Sequence, residues 1–153
     1  MPETVEGLAE LDQALAELPK SLQKGVLRRV GLAALQPFVE AVRGLAPVDA
    51  DPASTLKRKP GTLRDSYHAG TKLNRSQART ATREGKSSVE VYAGTNDDAG
   101  IQTEFGNEHQ APQPHARTAW DMVQARILSL IGSMLWAELE KTRARWVKRG
   151  GRG

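Results

Sequence analysis

The sequence contains no cysteine, which excludes disulfides, thiolate metal sites and a cysteine nucleophile. Aromatic residues are scarce, at 5% of the 153 residues, so the core is expected to be modest. No apolar run approaches the ~18 residues that a membrane span needs. The first residues also lack the basic and apolar regions of a signal peptide. We therefore expect a soluble protein without membrane contact, assembled in a reducing cytoplasm.

Motifs for enzymatic chemistry are missing as well. No glycine-rich phosphate cradle occurs, and no serine stands in a Gly-x-Ser-x-Gly setting. A metal-dependent hydrolase would need metal at His109 and His115, with Glu104 and Glu108 nearby. Their spacing in a proline-rich loop matches no zinc pattern, so polar loop histidines are the favoured interpretation. We predict a non-enzymatic protein with no cofactor and no metal site.

Apolar periodicity predicts three helices. A leucine stripe over residues 8–18 indicates a short helix that ends before Pro19. Residues 20–44 are predicted to form a long helix with a kink at Pro37, which removes one backbone donor. Residues 117–147 keep a 3.6-residue apolar period over more than five turns and predict the strongest helix.

The middle of the chain predicts a few strands. Strict alternation makes residues 88–94 the clearest strand, and residues 63–70 a weaker one. Residues 101–106 fit a strand or a single turn. Since strands and helices do not alternate regularly, a parallel sheet is not expected. The predicted fold is one α+β domain, residues 1–153, with a small antiparallel β-sheet packed against a long N-terminal and a long C-terminal helix.

Basic charge is concentrated in two segments of a chain with net charge +4. Residues 57–86 hold nine Lys or Arg against two acids, within a predicted mobile loop or arm over about residues 50–87. Residues 141–153 hold six Lys or Arg and no acid, and about 148–153 are predicted to fray. Candidate contacts to nucleic acid or an acidic partner are Lys57, Arg58, Lys59, Arg75, Arg79 and Arg83. A small basic nucleic-acid-binding module is thus an alternative, although Tyr67 is the only aromatic in the arm for stacking on bases.

Three short motifs in the second half of the chain suggest a family. They are Tyr92-Ala93-Gly94, the segment Gln-Thr-Glu-Phe-Gly at 102–106, and the segment Ala-Pro-Gln-Pro-His-Ala-Arg-Thr-Ala-Trp at 111–120. Together with Gly-Thr-Leu-Arg-Asp-Ser at 61–66, they resemble the tail-component family of tailed bacteriophages. Its members are neck or tail-completion proteins that act where the head meets the tail.

The resemblance implies a structural virion morphogenesis protein at the head–tail junction. Such a protein forms a homo-oligomeric ring that joins the connector to the tail. Its partners would be itself, neighbouring neck or connector proteins, the tail tube or tail terminator, and DNA passing through. The expected location is the virion neck or tail, after assembly in the cytoplasm of the host bacterium.

The motif residues have a physical interpretation. Gly106 would permit a positive φ, and Phe105 would anchor the turn to the core. Pro112 and Pro114 would stiffen the chain before the last helix. Trp136 lies off the apolar stripe of that helix and is an interface candidate if it is exposed. The predicted subunit-interface residues are Glu104, Phe105, Gly106, Pro112, Pro114, Trp120 and Trp136.

Overall fold

The computed structural model describes residues 7–48, 58–72, 79 and 89–151. Within these ranges the chain is mostly helical, with a small two-stranded antiparallel sheet packed against helices, which is the α+β class predicted from sequence. The elements are α1 (Leu8–Ala16), α2 (Lys20–Ala34), α3 (Gln36–Leu45), α4 (Thr62–Ser66), β1 (His68–Gly70), β2 (Tyr92–Gly94), α5 (Ala99–Phe105) and α6 (Ala116–Lys148). No helix in these ranges is long and apolar enough to cross a membrane.

The long N-terminal helix predicted over residues 20–44 is not found as one element. Helix α2 ends at Ala34, and α3 begins at Gln36 after Leu35. Pro37 lies in the first turn of α3, where a missing backbone N–H leaves no hydrogen bond unmade. The proline therefore starts a new helix instead of kinking a continuous one.

Short elements in the middle differ from their predictions. The first half of the predicted strand over 63–70 lies in a helix, α4, and only its end forms β1. Gly61, with φ of 81°, precedes α4 and lets the chain turn sharply into it. Residues 101–106 were predicted to be a strand or a single turn, and 101–105 belong to helix α5. The basic arm predicted over about residues 50–87 is not a mobile loop where it is described, because residues 58–72 contain α4 and β1. The rest of the arm, except Arg79, lies outside the described residues.

Strand β2 pairs with β1 over a short antiparallel ladder, with Ala69 opposite Ala93. The observed strand covers only the end of the predicted 88–94 segment. Helix α3 packs against both strands. The long C-terminal helix is confirmed, since α6 runs from Ala116 to Lys148 against a prediction of 117–147.

Contacts within the chain define two compact units. The first unit contains α1, α2 and α6 from Arg126 onward, and the second contains α3, α4, both strands, α5 and the start of α6. The prediction of one domain over residues 1–153 stays a prediction.

The core of the first unit is built by apolar side chains from α1, α2 and α6. Arg29 on α2 donates hydrogen bonds to Glu138 at 2.6 Å and to Thr142 at 3.2 Å, both on α6. Gly31 leaves room for Val91, because a Cβ on Gly31 would lie 2.8 Å from a Val91 methyl carbon. The buried residues of this cluster are Leu11, Leu18, Val26, Val30, Leu135 and Leu139.

The second unit has its own buried residues around α3. The Arg43 guanidinium donates through Nε and Nη2 to the backbone carbonyl of Tyr67, at 3.1 and 2.6 Å. This contact ties α3 to the segment between α4 and β1. The buried apolar residues of this unit are Phe38, Val39, Val42, Ala46, Leu63, Tyr67 and Ala119.

Candidate interface at the start of the long helix

Glu104 on α5 caps the first turn of α6. Its Oε2 accepts the backbone N–H groups of His115 and Ala116, both at 2.8 Å, and its Oε1 accepts that of Arg117 at 3.1 Å. The first N–H groups of a helix have no partner within the helix, and the helix dipole favours negative charge there. One side chain thus satisfies three of these donors and fixes α5 to the start of α6.

The Glu104 carboxylate is buried, with the residue only 5% exposed, yet it remains ionised. Burial alone would raise its pKa, but the backbone N–H of Ala116, the Arg117 side chain and the backbone N–H groups of Arg117 and His115 lower the pKa from 4.5 to about 2. The Arg117 Nε donates to Oε1 at 2.9 Å. The buried charge is therefore paired and fully hydrogen-bonded.

His115 lies in the loop before α6, but it is only 2% exposed, a burial that was not predicted. Its Nδ1 lies 3.0 Å from the backbone carbonyl of Gln113 and donates to that oxygen. This tautomer leaves Nε2 to accept the Tyr67 hydroxyl at 2.7 Å. The two rings meet edge to face, with centroids 5.6 Å apart. Burial, with the nearby charges of Glu104 and Asp97, raises the pKa of Tyr67 to about 12, so its hydroxyl remains a donor.

Gly106 ends α5 with φ of 74°, as predicted for this position. A Cβ there would lie 2.8 Å from the Pro112 ring nitrogen and Cδ and 2.9 Å from the Gln110 carbonyl oxygen. Asn107 and Gln110 exchange backbone hydrogen bonds of 3.0 and 3.3 Å across the turn. The Gln113 N–H then donates to the Thr103 carbonyl at 2.8 Å, so the loop folds back against α5. We call Glu104, Gly106, Pro112 and His115, with their partners, the joint.

Phe105 does not anchor the turn to the core, because its side chain is 61% exposed. Ile101, one helical turn earlier, is 68% exposed. Residues four apart on a helix lie on one face, so α5 presents an apolar pair to its surroundings. The Arg117 guanidinium lies 4.9 Å from the centre of the Phe105 ring and orients it through a cation–π contact.

The other predicted interface residues are placed as follows. Pro112 and Pro114 are exposed in the loop before α6. Trp120 is partly exposed and packs edge to face on Phe38, with centroids 5.9 Å apart. Trp136 is 39% exposed on α6 in the first unit, which meets the condition set for it.

The predicted phosphate or acidic-partner contacts are only partly described. Lys57, Arg75 and Arg83 lie outside the described residues. Lys59 and Arg79 are exposed, and Arg58 pairs with Asp97. Arg58 and Lys59 belong to the second unit, and Arg79 belongs to the first.

Ile101, His115 and Tyr67 are the residues that sequence reasoning missed. Ile101 carried a signal, since it lies four residues before Phe105, but the segment was too short to identify as a helix. His115 and Tyr67 are in contact although they lie 48 positions apart in the sequence, and no local pattern predicts that contact. Among the described residues, no group of three or more His, Asp or Glu side chains could hold a metal ion.

Comparison with protein-family models, with curated proteins and with solved structures found no match to this chain.

Proposed function

We propose that this chain is a structural subunit at the head–tail junction of a tailed bacteriophage, where an oligomeric ring of it joins the connector to the tail. The resemblance of the motifs within residues 92–120 to neck and tail-completion proteins supports this proposal. The observation that carries it is the exposed pair Ile101 and Phe105 beside a rigid joint. Large apolar side chains held in one position in water are typical of a contact with another subunit.

The use of the polar groups in the joint supports a role in contacts and not in catalysis. A general acid or base must come within hydrogen-bond reach of its substrate. Glu104 already accepts hydrogen bonds from three backbone N–H groups and from Arg117. His115 is hydrogen-bonded to Tyr67 and Gln113. Because Glu104, His115 and Tyr67 are all buried, these groups hold the fold in place and do not face a ligand.

A ring requires two different, complementary surfaces on each subunit. In our proposal the apolar pair Ile101 and Phe105 belongs to one of them. Basic side chains of the arm over about residues 50–87 contact a neighbouring subunit, a connector or tail protein, or the DNA that passes through the ring. Exposed Lys59 and Arg79 lie in that arm.

The test is native mass spectrometry of the purified full chain over a range of concentrations. We expect ring-sized species that Phe105→Asp removes, because a charge would have to be buried in the subunit contact. The control is Val48→Asp, which places the same charge at another partly exposed apolar position of the second unit. Thermal unfolding of both variants should match wild type, since both side chains are exposed.

Two outcomes would overturn the proposal. One is a chain that never forms species beyond a dimer at any concentration or with neck partners. The other is equal assembly by wild type and Phe105→Asp. Salt-dependent binding of DNA by such a non-assembling chain would instead support the nucleic-acid-binding alternative.

A further inference from the structure

The middle of α6 is uncharged on all sides, although the described residues cover only one side of it. From Ile127 to Ala137 the helix has no charged residue. Ile127 and Leu135 are buried, and Leu135 packs with α1 and α2. A surface helix normally has charged or long polar residues opposite its apolar stripe, whereas this side carries only small and apolar residues, two of them serine. The uncovered side of this segment therefore suits a contact with another molecule.

The uncovered side has a definite shape. Ser129, Ser133 and Ala137 follow one another at four-residue spacing, and all three are exposed. Exposed Trp136 lies along one edge of this row, and half-buried Leu130 lies along the other. Small side chains allow a second helix to approach closely, while Trp136 and Leu130 provide apolar surface on its two flanks.

Opposite charges stand at the two ends of this face. Arg126 and Glu140 are equally far from Ser133 along the helix, and both are exposed. Neither makes an ion pair with any other residue in the part of the chain that the structure describes. By contrast, Glu138 on the covered side is engaged by Arg29. The face is therefore complementary in charge to itself when its direction is reversed.

We propose that this face, which we call the helix face (Arg126, Ser129, Ser133, Trp136, Ala137 and Glu140), binds the same face of a second copy of this chain. The two α6 helices run antiparallel, with a two-fold axis at Ser133. This symmetry places Arg126 opposite Glu140 of the other copy and Ser129 opposite Ala137. The same axis places both Trp136 side chains on one flank of the helix pair and both Leu130 side chains on the other. A contact of this kind is isologous, since both copies use the same surface.

The dimer is expected to be weak. A contact along one helix over four turns covers less than the about 800 Å² per partner of a standard interface. We expect a Kd in roughly the micromolar range, as for small transient interfaces. An isologous contact does not close a ring, so this surface is additional to the one proposed around Phe105 and does not depend on it.

Charge reversal tests the register of the pair in the full-length chain. Arg126→Glu places two like-charged pairs in the dimer, and so does Glu140→Arg. Each should raise the dimer Kd by about tenfold or more in sedimentation equilibrium. The double variant Arg126→Glu with Glu140→Arg restores both pairs and should return the Kd to near the wild-type value. If all variants dimerise alike, or if the double variant is as weak as the single ones, the proposal is wrong.

Disulfide trapping tests the position of the symmetry axis. Because the sequence contains no cysteine, an introduced cysteine can form a disulfide only with another introduced cysteine. Ser133→Cys lies on the proposed axis, so two copies should cross-link to each other under mild oxidation. The matched control Ser129→Cys faces position 137 and should not cross-link to itself, but should cross-link in a mixture with Ala137→Cys. Equal cross-linking of Ser133→Cys and Ser129→Cys would overturn the proposal. Phe105→Asp should leave the trapping unchanged, so failure of the ring proposal can be distinguished from failure of this one.

Discussion

At the scale of single residues, burying a carboxylate costs free energy unless its oxygens find donors, and Glu104 meets this condition. Its donors are the N–H groups that the first turn of α6 cannot satisfy by itself. The buried carboxylate therefore gains the donors it needs, and the free N–H groups of the helix gain an acceptor. The joint depends on this one side chain more than on any residue around it.

Glu104→Gln should destabilise the protein by about 2–3 kcal/mol at pH 7, because the cap and a charge-assisted hydrogen bond are lost together. Urea unfolding measures this change. The control Glu108→Gln alters a glutamate whose side chain is 83% exposed, and it should change stability by about 0.5 kcal/mol or less. Equal effects of the two substitutions would contradict the capping role.

The stability difference between wild type and Glu104→Gln should decrease as the pH falls. The folded-state pKa of Glu104 is lowered from 4.5 to about 2, so as pH falls the unfolded chain takes up the proton first. The stabilisation, roughly 3 kcal/mol from this shift, is complete above pH 4.5 and lost as pH falls toward 2. The difference in free energy of unfolding between wild type and Glu104→Gln should therefore become smaller below about pH 4.5.

Gly106→Ala should destabilise the joint by about 2 kcal/mol or more, because φ of 74° is strained for alanine and its Cβ would meet Pro112. Gly44→Ala is the matched control, since a Cβ there meets nothing within 4 Å and alanine favours the helix. Thermal unfolding should show a lower Tm for the first variant and an unchanged or higher Tm for the second. A normal Tm for Gly106→Ala would show that the turn can relax.

Sequence reasoning at this scale succeeded where the constraint was local. Gly106 was identified because glycine after Phe105 permits a positive φ, and its φ is 74°. Phe105 was placed in the core because apolar side chains are usually buried, and it is exposed. The contact of Glu104 with the start of α6 could not be predicted, since it joins positions eleven or more apart through a loop without periodicity.

At the scale of elements, length decided what could be predicted. Helix α6 repeats its apolar period often enough to be found almost to the residue. Helices α4 and α5 are too short to show a period, so their residues fit strands equally well. Pro37 predicted a kink near the observed break between α2 and α3. The sequence alone does not distinguish a proline in the first turn of a new helix from a proline within a continuous one.

Leu139 on α6 belongs to the core that α6 forms with α1 and α2, so its removal should lower stability. Leu139→Ala should destabilise the protein by about 2–5 kcal/mol, because it leaves a cavity in the core of the first unit. Leu128→Ala makes the same substitution on the same helix at a partly exposed position and should cost much less. Urea unfolding compares the two. Similar losses would mean that Leu139 is not part of a packed core.

At the scale of the whole molecule, each unit carries one of the proposed contact surfaces: the apolar pair on α5 belongs to the second unit, and the helix face on α6 belongs to the first. Glu104 and His115 of the joint are buried and hydrogen-bonded within the second unit. In the proposed role, the fold therefore supplies rigid contact surfaces, and the chain works by joining molecules together.

The most direct test is the joining of heads and tails in a phage that encodes this chain. With its gene deleted, we expect electron microscopy of lysates to show full heads and finished tails that remain separate. Adding the purified chain should join them, and Phe105→Asp should fail while Val48→Asp succeeds. Joined, infectious particles formed without this protein would contradict the account.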